Sequence, residues 1–108
     1  MSILKLTDEN FESEVLNSEK PCIVDFYADW CGPCKMLSPT LNNISDQYQN
    51  INFFKVNVDR ESVLAKKLNI QSIPTVLFFR DSKLVDMFVG YKNQIDIKNL
   101  ITKFLSQQ

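Results

Sequence analysis

Two cysteines separated by two residues are the part of this sequence best suited to chemistry. Cys31 and Cys34 follow an apolar run that ends at Ala28, and they precede a segment with helical periodicity. Residues three apart on a helix lie on one face, about 5–6 Å apart. This is also the commonest Cα separation across a disulfide. The pair can open and close a disulfide with little backbone movement, so we predict a thiol–disulfide exchange site.

The composition removes most other uses of such a pair. The 108 residues include three cysteines and no histidine. Structural zinc normally takes four Cys or His ligands, so the chain cannot build such a site alone. A Cys–His nucleophile pair is impossible, and haem attachment needs a histidine directly after the second cysteine, where this chain has Lys35. Redox chemistry is the remaining expectation.

The two cysteines are predicted to have different roles. Cys31 is expected at the start of a helix, where unpaired N–H groups and the helix dipole favour the reactive thiolate. Cys34 lies one turn further in, is expected to be less exposed, and would resolve the mixed disulfide. Gly32 lets another backbone approach closely, and Pro33 fits the first helical turn. The alternative is an inert buried pair.

A carboxylate and an ammonium group are predicted near the cysteines. Asp25 stands inside the apolar run, where burial would raise its pKa. We predict that it takes the proton from Cys34; a hydrogen bond to a neighbouring loop is the alternative. Lys55 lies on the face of its strand opposite Phe54 and Val56. It either pairs with Asp25, if the strands are adjacent, or faces solvent.

Periodicity predicts an α/β fold. Early strands alternate with helices, which implies parallel crossovers, and a turn at Asp81-Ser82 implies an antiparallel hairpin. Leu37, Leu41, Ile44 and Tyr48 form a helical stripe that contains Pro39. We expect one helix with a kink there, although it could instead begin after Pro39. The predicted segments are strands at 3–6, 22–28, 52–59, 76–79 and 84–89, and helices capped at Thr7 or Asp8, after the cysteines, at 61–68 and at the C-terminus.

Charge and hydropathy exclude other classes of partner. The net charge of −1 offers no footprint for nucleic acid. No leader and no apolar run of about 20 residues is present, so we expect no membrane association and a cytoplasmic location; a removed organellar transit peptide is the alternative. Trp30 is expected at the surface, and Cys22 is expected to be a buried thiol without redox function.

The sequence resembles the thioredoxin family over essentially its whole length. The resemblance rests on these residues: Val24–Ala28, Trp30–Lys35, Pro39, Lys55, Asn57, Asp59, Ile73–Thr75 and Val89–Gly90. It implies one domain over residues 1–108, with a mixed five-stranded sheet flanked by four helices on both faces. It also implies a protein disulfide reductase, because the Gly-Pro pair between the cysteines is typical of reducing members.

The resemblance further implies the residues of the site. Asp25 would be the buried acid/base and Lys55 its neighbour. Pro74 would be cis and would pack against the cysteines, and the backbone of Ile73 would pair with an extended substrate. The implied docking surface consists of Trp30, Gly32, Pro33, Ile73, Pro74 and Gly90.

The same resemblance implies partners and a source of electrons. No cofactor would be bound, and electrons would come from NADPH through a flavin-dependent thioredoxin reductase. Clients would be disulfide-containing proteins, and the chain would be a monomer. The alternatives are an oxidant or isomerase with this fold, or a non-enzymatic binding subunit. Departures from the family pattern at Tyr27, Ser72, Ser82 and Tyr91 leave partner choice open.

Overall fold

The computed structural model describes residues 3–107, and its elements follow the predicted order. Residues 1, 2 and 108 lie outside the described range. The elements are β1 (Ile3–Lys5), α1 (Glu12–Leu16), β2 (Cys22–Tyr27), α2 (Gly32–Ser45), β3 (Asn52–Asn57), α3 (Ser62–Lys67), β4 (Thr75–Arg80), β5 (Lys83–Val89) and α4 (Gln94–Ser106).

The five strands form one mixed sheet in the order β1-β3-β2-β4-β5. Strand β3 runs parallel to β1 and β2, and β4 is antiparallel to β2 and β5. Strand β2 is therefore central, as its nearly continuous apolar sequence predicts. The start of α2, which carries the cysteines, follows directly from the carboxyl end of this central strand.

Helices cover both faces of the sheet, which confirms the predicted architecture. On one face, α2 and α4 pack over a core that includes Ile23, Phe53 and Phe78. On the other, α1 and α3 cover Val24, Phe26 and their neighbours. Alternation along β2 sends Asp25 to the face that α2 covers, whereas Cys22 lies in the cluster on the opposite face. The sheet therefore separates the third cysteine from the other two.

Helix α2 continues through Pro39. The alternative in which the helix begins after Pro39 is therefore wrong, and the kink stays a prediction. The helix ends at Ser45, so Tyr48 lies beyond it and not on its stripe. Tyr48 still packs against the core between α2 and α4.

The first helix is shorter and wider than an α-helix. Helix α1 is a π-helix in which the amide of Asn17 donates to the carbonyl of Glu12, five residues back, at 3.0 Å. The predicted cap of α1 at Thr7 or Asp8 is wrong, because its N-cap residue is Phe11, which makes no side-chain cap bond. The hydroxyl of Thr7 accepts from the amides of Glu9 and Asn10 and so caps only the turn before α1. Asp8 does not share this role and instead bonds α3.

The β4–β5 hairpin turns at Asp81-Ser82, as predicted. Both residues have positive φ, 53° and 67°, which is the mark of the type I′ turn that matches strand twist. The hydroxyl of Ser82 donates to the carbonyl of Leu16, which ties the turn to α1. Gly90, with φ of 89°, ends β5 in a conformation that L side chains rarely adopt.

The helices within residues 3–107 are all too short or too polar to cross a membrane.

Candidate active site

Cys31 and Cys34 are joined in a disulfide at the start of α2, with Cα atoms 5.3 Å apart. Cys31 is the N-cap residue, and its Sγ accepts a hydrogen bond from the amide of Cys34 at 3.2 Å. Pro33 lies in the first turn, where its missing N–H leaves no bond unmade. The sulfur of Cys31 therefore sits where amide donors and the helix dipole stabilise negative charge.

Exposure does not distinguish the two cysteines, contrary to the prediction. Cys31 is 5% exposed and Cys34 is 4% exposed. Their surroundings do differ, because the Sγ of Cys31 lies 3.8 Å from the carbonyl oxygen of Ile73, at the surface loop before β4. Cys34 instead lines, together with Asp25, a pocket that opens to solvent past the exposed residues Asp29, Lys35 and Ser38. One sulfur adjoins the outer surface and the other adjoins a buried acid.

The loop before β4 meets the cysteines through Ile73. The Ile73–Pro74 peptide bond is cis, and the amide of Gly90 donates to the carbonyl of Pro74 at 2.8 Å, which draws the end of β5 to the same place. Pro74 is less than 2% exposed. Its side chain therefore supports the expected docking surface from beneath, instead of forming part of that surface as predicted.

Trp30 stands at the surface beside the cysteines, as expected for a residue of this loop. Its side chain is 71% exposed. The indole Nε1 donates to Oδ2 of Asp59 at 2.9 Å, which fixes the ring's direction. Gly32 and Pro33 are also exposed, and Ile73 is half-buried. These side chains leave the Cys31 sulfur beneath a shallow, partly apolar surface.

Asp25 is a buried acid, and one of its carboxyl oxygens has no hydrogen-bond partner among the described residues. It is 6% exposed, and within residues 3–107 its Oδ1 finds no donor. Burial raises the pKa of this carboxyl to about 7, while the charge of Lys55 acts in the opposite direction. The alternative of a bond to a neighbouring loop is not observed in this part of the chain. A carboxyl with this pKa can exchange a proton near neutral pH.

Lys55 lies directly beside Asp25, because the two residues are register partners on β3 and β2. The predicted adjacency is thus confirmed, but across residues 3–107 no ion pair joins the two side chains. The Nζ of Lys55 lies 5.9 Å from the centre of the Tyr27 ring, within reach of a cation–π contact. Lys55 therefore acts on the pKa of Asp25 through the electric field of its charge and not through a hydrogen bond.

A cavity of about 160 Å³ brings Asp25, Cys34 and Lys55 together. A space of this size, with Asp25, Lys55 and Ser38 in its lining, has room for water molecules between the acid and the inner cysteine. Sequence reasoning missed Ser38, which also lines the cavity. Its position four residues after Cys34 places it on the same helical face, and that spacing could have revealed it.

The third cysteine lies outside the site, as predicted. Cys22 is a free thiol and is buried among the side chains under α1 and α3. Burial raises the pKa of its thiol, which keeps it in the less reactive protonated form. Within residues 3–107, the structure holds no group of three or more side chains placed to bind a metal ion.

Comparison with known proteins agrees with this geometry. The sequence model of the family described as Thioredoxin matches residues 2–103. The thioredoxin of Porphyra purpurea is 36% identical over 107 residues, which cover 98% of this chain and 100% of the relative. Thioredoxin 1 of Nostoc sp. is 40% identical over 94% of this chain and 95% of the relative. The chain belongs to the thioredoxin family. The thioredoxin of Buchnera aphidicola is similarly close, at 41% identity over 92% of this chain and 93% of its own.

Membership in this family, together with the Cys31–Cys34 pair, identifies a protein disulfide reductase and hence a disulfide oxidoreductase. Thioredoxins carry no cofactor of their own, and their partners are in general a reductase and disulfide-containing proteins. None of the observations on residues 3–107 favours an oxidant, an isomerase or a non-enzymatic binding subunit.

Proposed function

We propose that Cys31 of this thioredoxin is the nucleophile that attacks client disulfides and that Cys34 resolves the product. The observation that carries this assignment is the position of the Cys31 sulfur. This sulfur caps α2, accepts a hydrogen bond from the amide of Cys34, and lies beside the surface loop at Ile73. That position favours the thiolate and admits a partner.

The reaction proceeds in two exchanges. The thiolate of Cys31 attacks one sulfur of a client disulfide, forms a mixed disulfide, and expels the other client sulfur as a thiolate. Cys34 then loses its proton and attacks the Cys31 sulfur, which breaks the bond to the client. The client leaves with two thiols. Cys31 and Cys34 have supplied the two electrons and remain joined in a disulfide.

Asp25 is the proposed acceptor of the Cys34 proton, through water in the cavity they share. Its pKa of about 7 suits the role, because the carboxyl is partly ionised at neutral pH and can retain the proton that it accepts from Cys34. Lys55 is proposed to lower the pKa of Asp25 enough for this ionisation. Gly32 and Pro33 are proposed to tune the redox properties of Cys31 and Cys34 by keeping the first turn of α2 open to the client.

The proposed docking surface consists of Trp30, Gly32, Pro33, Ile73 and Gly90, supported from beneath by Pro74. The backbone of Ile73 precedes β4 and is proposed to pair with an extended client segment, which is a form of strand addition. Such pairing would hold the client sulfur next to Cys31.

The proposed cycle ends with an external donor. A flavin-dependent thioredoxin reductase, supplied by NADPH, would return the Cys31–Cys34 disulfide to the dithiol. We also propose that residues 1–108 act as one monomeric domain in the cytoplasm, where thiols are kept reduced. Neither nucleic acid nor a membrane is a proposed partner; a net charge of −1 offers no footprint for nucleic acid.

Insulin reduction tests the assignment of the two cysteines. The Cys31→Ser variant should lose the activity, and Cys34→Ser should accumulate a mixed disulfide that mass spectrometry locates on Cys31. Cys22→Ser is the matched control and should react normally. Near-normal activity of Cys31→Ser, or an adduct located on Cys22, would contradict the assignment. A double Cys31→Ser/Cys34→Ser variant that kept its cellular role would instead favour the binding-subunit alternative.

A further inference from the structure

The ammonium group of Lys55 has two possible neighbours on one face of the sheet. Alternation along β2 puts Asp25 and Tyr27 on the face that α2 covers, and Lys55 on β3 is the register partner of Asp25. Neighbouring strands lie about 4.8 Å apart, so the long side chain of Lys55 can reach either the carboxyl of Asp25 or the ring of Tyr27. The two contacts compete for a single charge.

In the structure the ammonium lies over the ring and not against the carboxyl. The Nζ atom of Lys55 is 5.9 Å from the centre of the Tyr27 ring, within the distance of about 6 Å at which a ring face attracts a cation. Within residues 3–107 no ion pair joins Lys55 to Asp25, and Oδ1 of Asp25 has no partner. The buried acid therefore lacks the contact that the cation on the next strand could supply.

The ring of Tyr27 is itself held in place on two sides. It packs against the cluster of Ala28, Cys31 and Cys34. Burial raises the pKa of its hydroxyl, whereas the side chain of Asn57, its register partner on β3, interacts with the hydroxyl and lowers that pKa. A ring with contacts on the cysteine side and on the β3 side presents a fixed face to Lys55.

The other groups around Asp25 do not replace Lys55. On β4 the register partner of Asp25 is the apolar Val76. Asp29, in the loop after β2, and Lys35, on α2, line the same cavity as Asp25, but both are exposed to water, which screens their charges. Lys55 is the charged group that acts on the pKa of Asp25 in the described part of the chain. The position of its ammonium therefore matters to the acid.

We propose that Tyr27 is a positioning residue for the proton transfer from Cys34, because its ring holds the ammonium of Lys55 out of ion-pair contact with Asp25. The proposal rests on the proposed function, in which Asp25 accepts that proton. Held over the ring, the ammonium stabilises the carboxylate only from a distance, so the carboxyl can both ionise and retain a proton near neutral pH. In ion-pair contact the carboxylate would be favoured further, and Asp25 would be a weaker base.

Removing the ring tests the proposal through the titration of Asp25. Tyr27→Leu frees Lys55 to pair with the carboxylate, so the pKa of Asp25 should fall below that of the wild type. Tyr27→Phe keeps the ring face, is the matched control, and should keep the wild-type pKa. The carbon-13 shift of the Asp25 carboxyl, followed against pH in the oxidised protein, measures each pKa while Cys31 and Cys34 do not titrate. An equal pKa in Tyr27→Leu and wild type would overturn the proposal.

A second background separates the position of Lys55 from simple exclusion of water. Leucine is smaller than tyrosine and could admit water to the cavity, which would lower the pKa of Asp25 without any movement of Lys55. If Tyr27 acts through Lys55, the double variant Tyr27→Leu/Lys55→Met should have the same Asp25 pKa as Lys55→Met alone. A fall of the same size in both backgrounds would show that Tyr27 only excludes water, and would overturn the proposal.

A measurement on the wild type decides the matter if Tyr27→Leu does not fold. The ring current of Tyr27 should displace the proton resonances of the Lys55 Cε upfield from those of a free lysine, and the displacement should persist when Asp25 ionises. Resonances at the free-lysine position, or a displacement lost as Asp25 ionises, would overturn the proposal.

Kinetics then separate this proposal from the function beneath it. In Tyr27→Leu the pH at the midpoint of client release from a preformed mixed disulfide should fall together with the pKa of Asp25. A lower pKa with an unchanged midpoint would show that Asp25 does not accept the Cys34 proton. That result would overturn the role of Asp25 in the proposed function, whereas the control of the Lys55 position by Tyr27 would stand on the titrations.

Discussion

A single unpaired carboxyl controls much of the chemistry at the residue scale. Asp25 is buried without a hydrogen bond to its Oδ1, and its pKa is raised to about 7 because burial penalises the charged form. The same burial opposes folding once the group ionises. Function and stability therefore make opposite demands on this one residue, and both can be measured through pH.

Asp25→Asn should stabilise the protein more at alkaline than at acid pH. Between about pH 4 and pH 7 the folded chain keeps the Asp25 proton while the unfolded chain, with a pKa near 3.8, releases it. Stability of the wild type must therefore fall as pH rises through this window. Urea unfolding of the oxidised proteins should show a difference that grows from near zero at pH 4 to a few kcal/mol at pH 8. A difference independent of pH would refute the raised pKa.

Lys55→Met should move the pH dependence of the resolving step upward. The ammonium of Lys55 lowers the pKa of Asp25, so its removal lets burial raise that pKa further. If ionised Asp25 accepts the Cys34 proton, the pH at the midpoint of the rate profile should rise in this variant. Stopped-flow release of client from a preformed mixed disulfide measures this step. Lys55→Arg keeps the charge and should keep the midpoint; an unchanged midpoint in Lys55→Met would remove Lys55 from the mechanism.

At the scale of elements, a distant residue substitutes for a local helix cap. Glu61 is the N-cap residue of α3, and its side chain makes no cap bond within the helix. Instead, Oδ1 of Asp8 accepts from the amide of Leu64 at 2.8 Å, and Oε1 of Glu61 accepts from the amide of Asp8 at 2.9 Å. This is the reciprocal pattern of a capping box, formed between segments more than 50 residues apart. It fixes α3 to the turn that follows β1.

Asp8→Ala should therefore destabilise the protein by about 1 kcal/mol, which is typical for a lost cap. Asp8→Asn keeps the acceptor oxygen and should recover most of the loss. Denaturant unfolding at pH 7 provides the measurement, and insulin reduction should be unchanged, because Asp8 touches none of the site residues named above. Equal stability of the alanine variant and wild type would show that water replaces the cap without cost.

At the scale of the whole molecule, sequence patterns predicted those features of the fold and the site that depend on the periodicity of strands and helices. Alternation along β2 placed Asp25 and Cys22 on opposite faces, and helical spacing placed Cys31 at the start of α2; both predictions are confirmed. What sequence could not supply depends on distant packing. The cap from Asp8 to α3, the burial of Pro74, and the cavity that joins Asp25 to Cys34 form only when separate segments meet.

The disulfide should make the folded molecule more stable as a whole, although it closes a loop of only four residues. The two Cα atoms are 5.3 Å apart across the disulfide, which is the separation that one helical turn imposes without a bond, so oxidation should add little order to the native state. In the unfolded chain the same bond removes loop entropy, which corresponds to about 2 kcal/mol for so short a loop. A chain of this size should unfold in two states, so urea unfolding at pH 7 with and without a phosphine reductant measures the difference. Cys22→Ala should leave that difference intact. Equal stability of the two forms would mean that the Cys31 thiolate, held by the Cys34 amide and the helix dipole, stabilises the reduced fold as much as the bond stabilises the oxidised one.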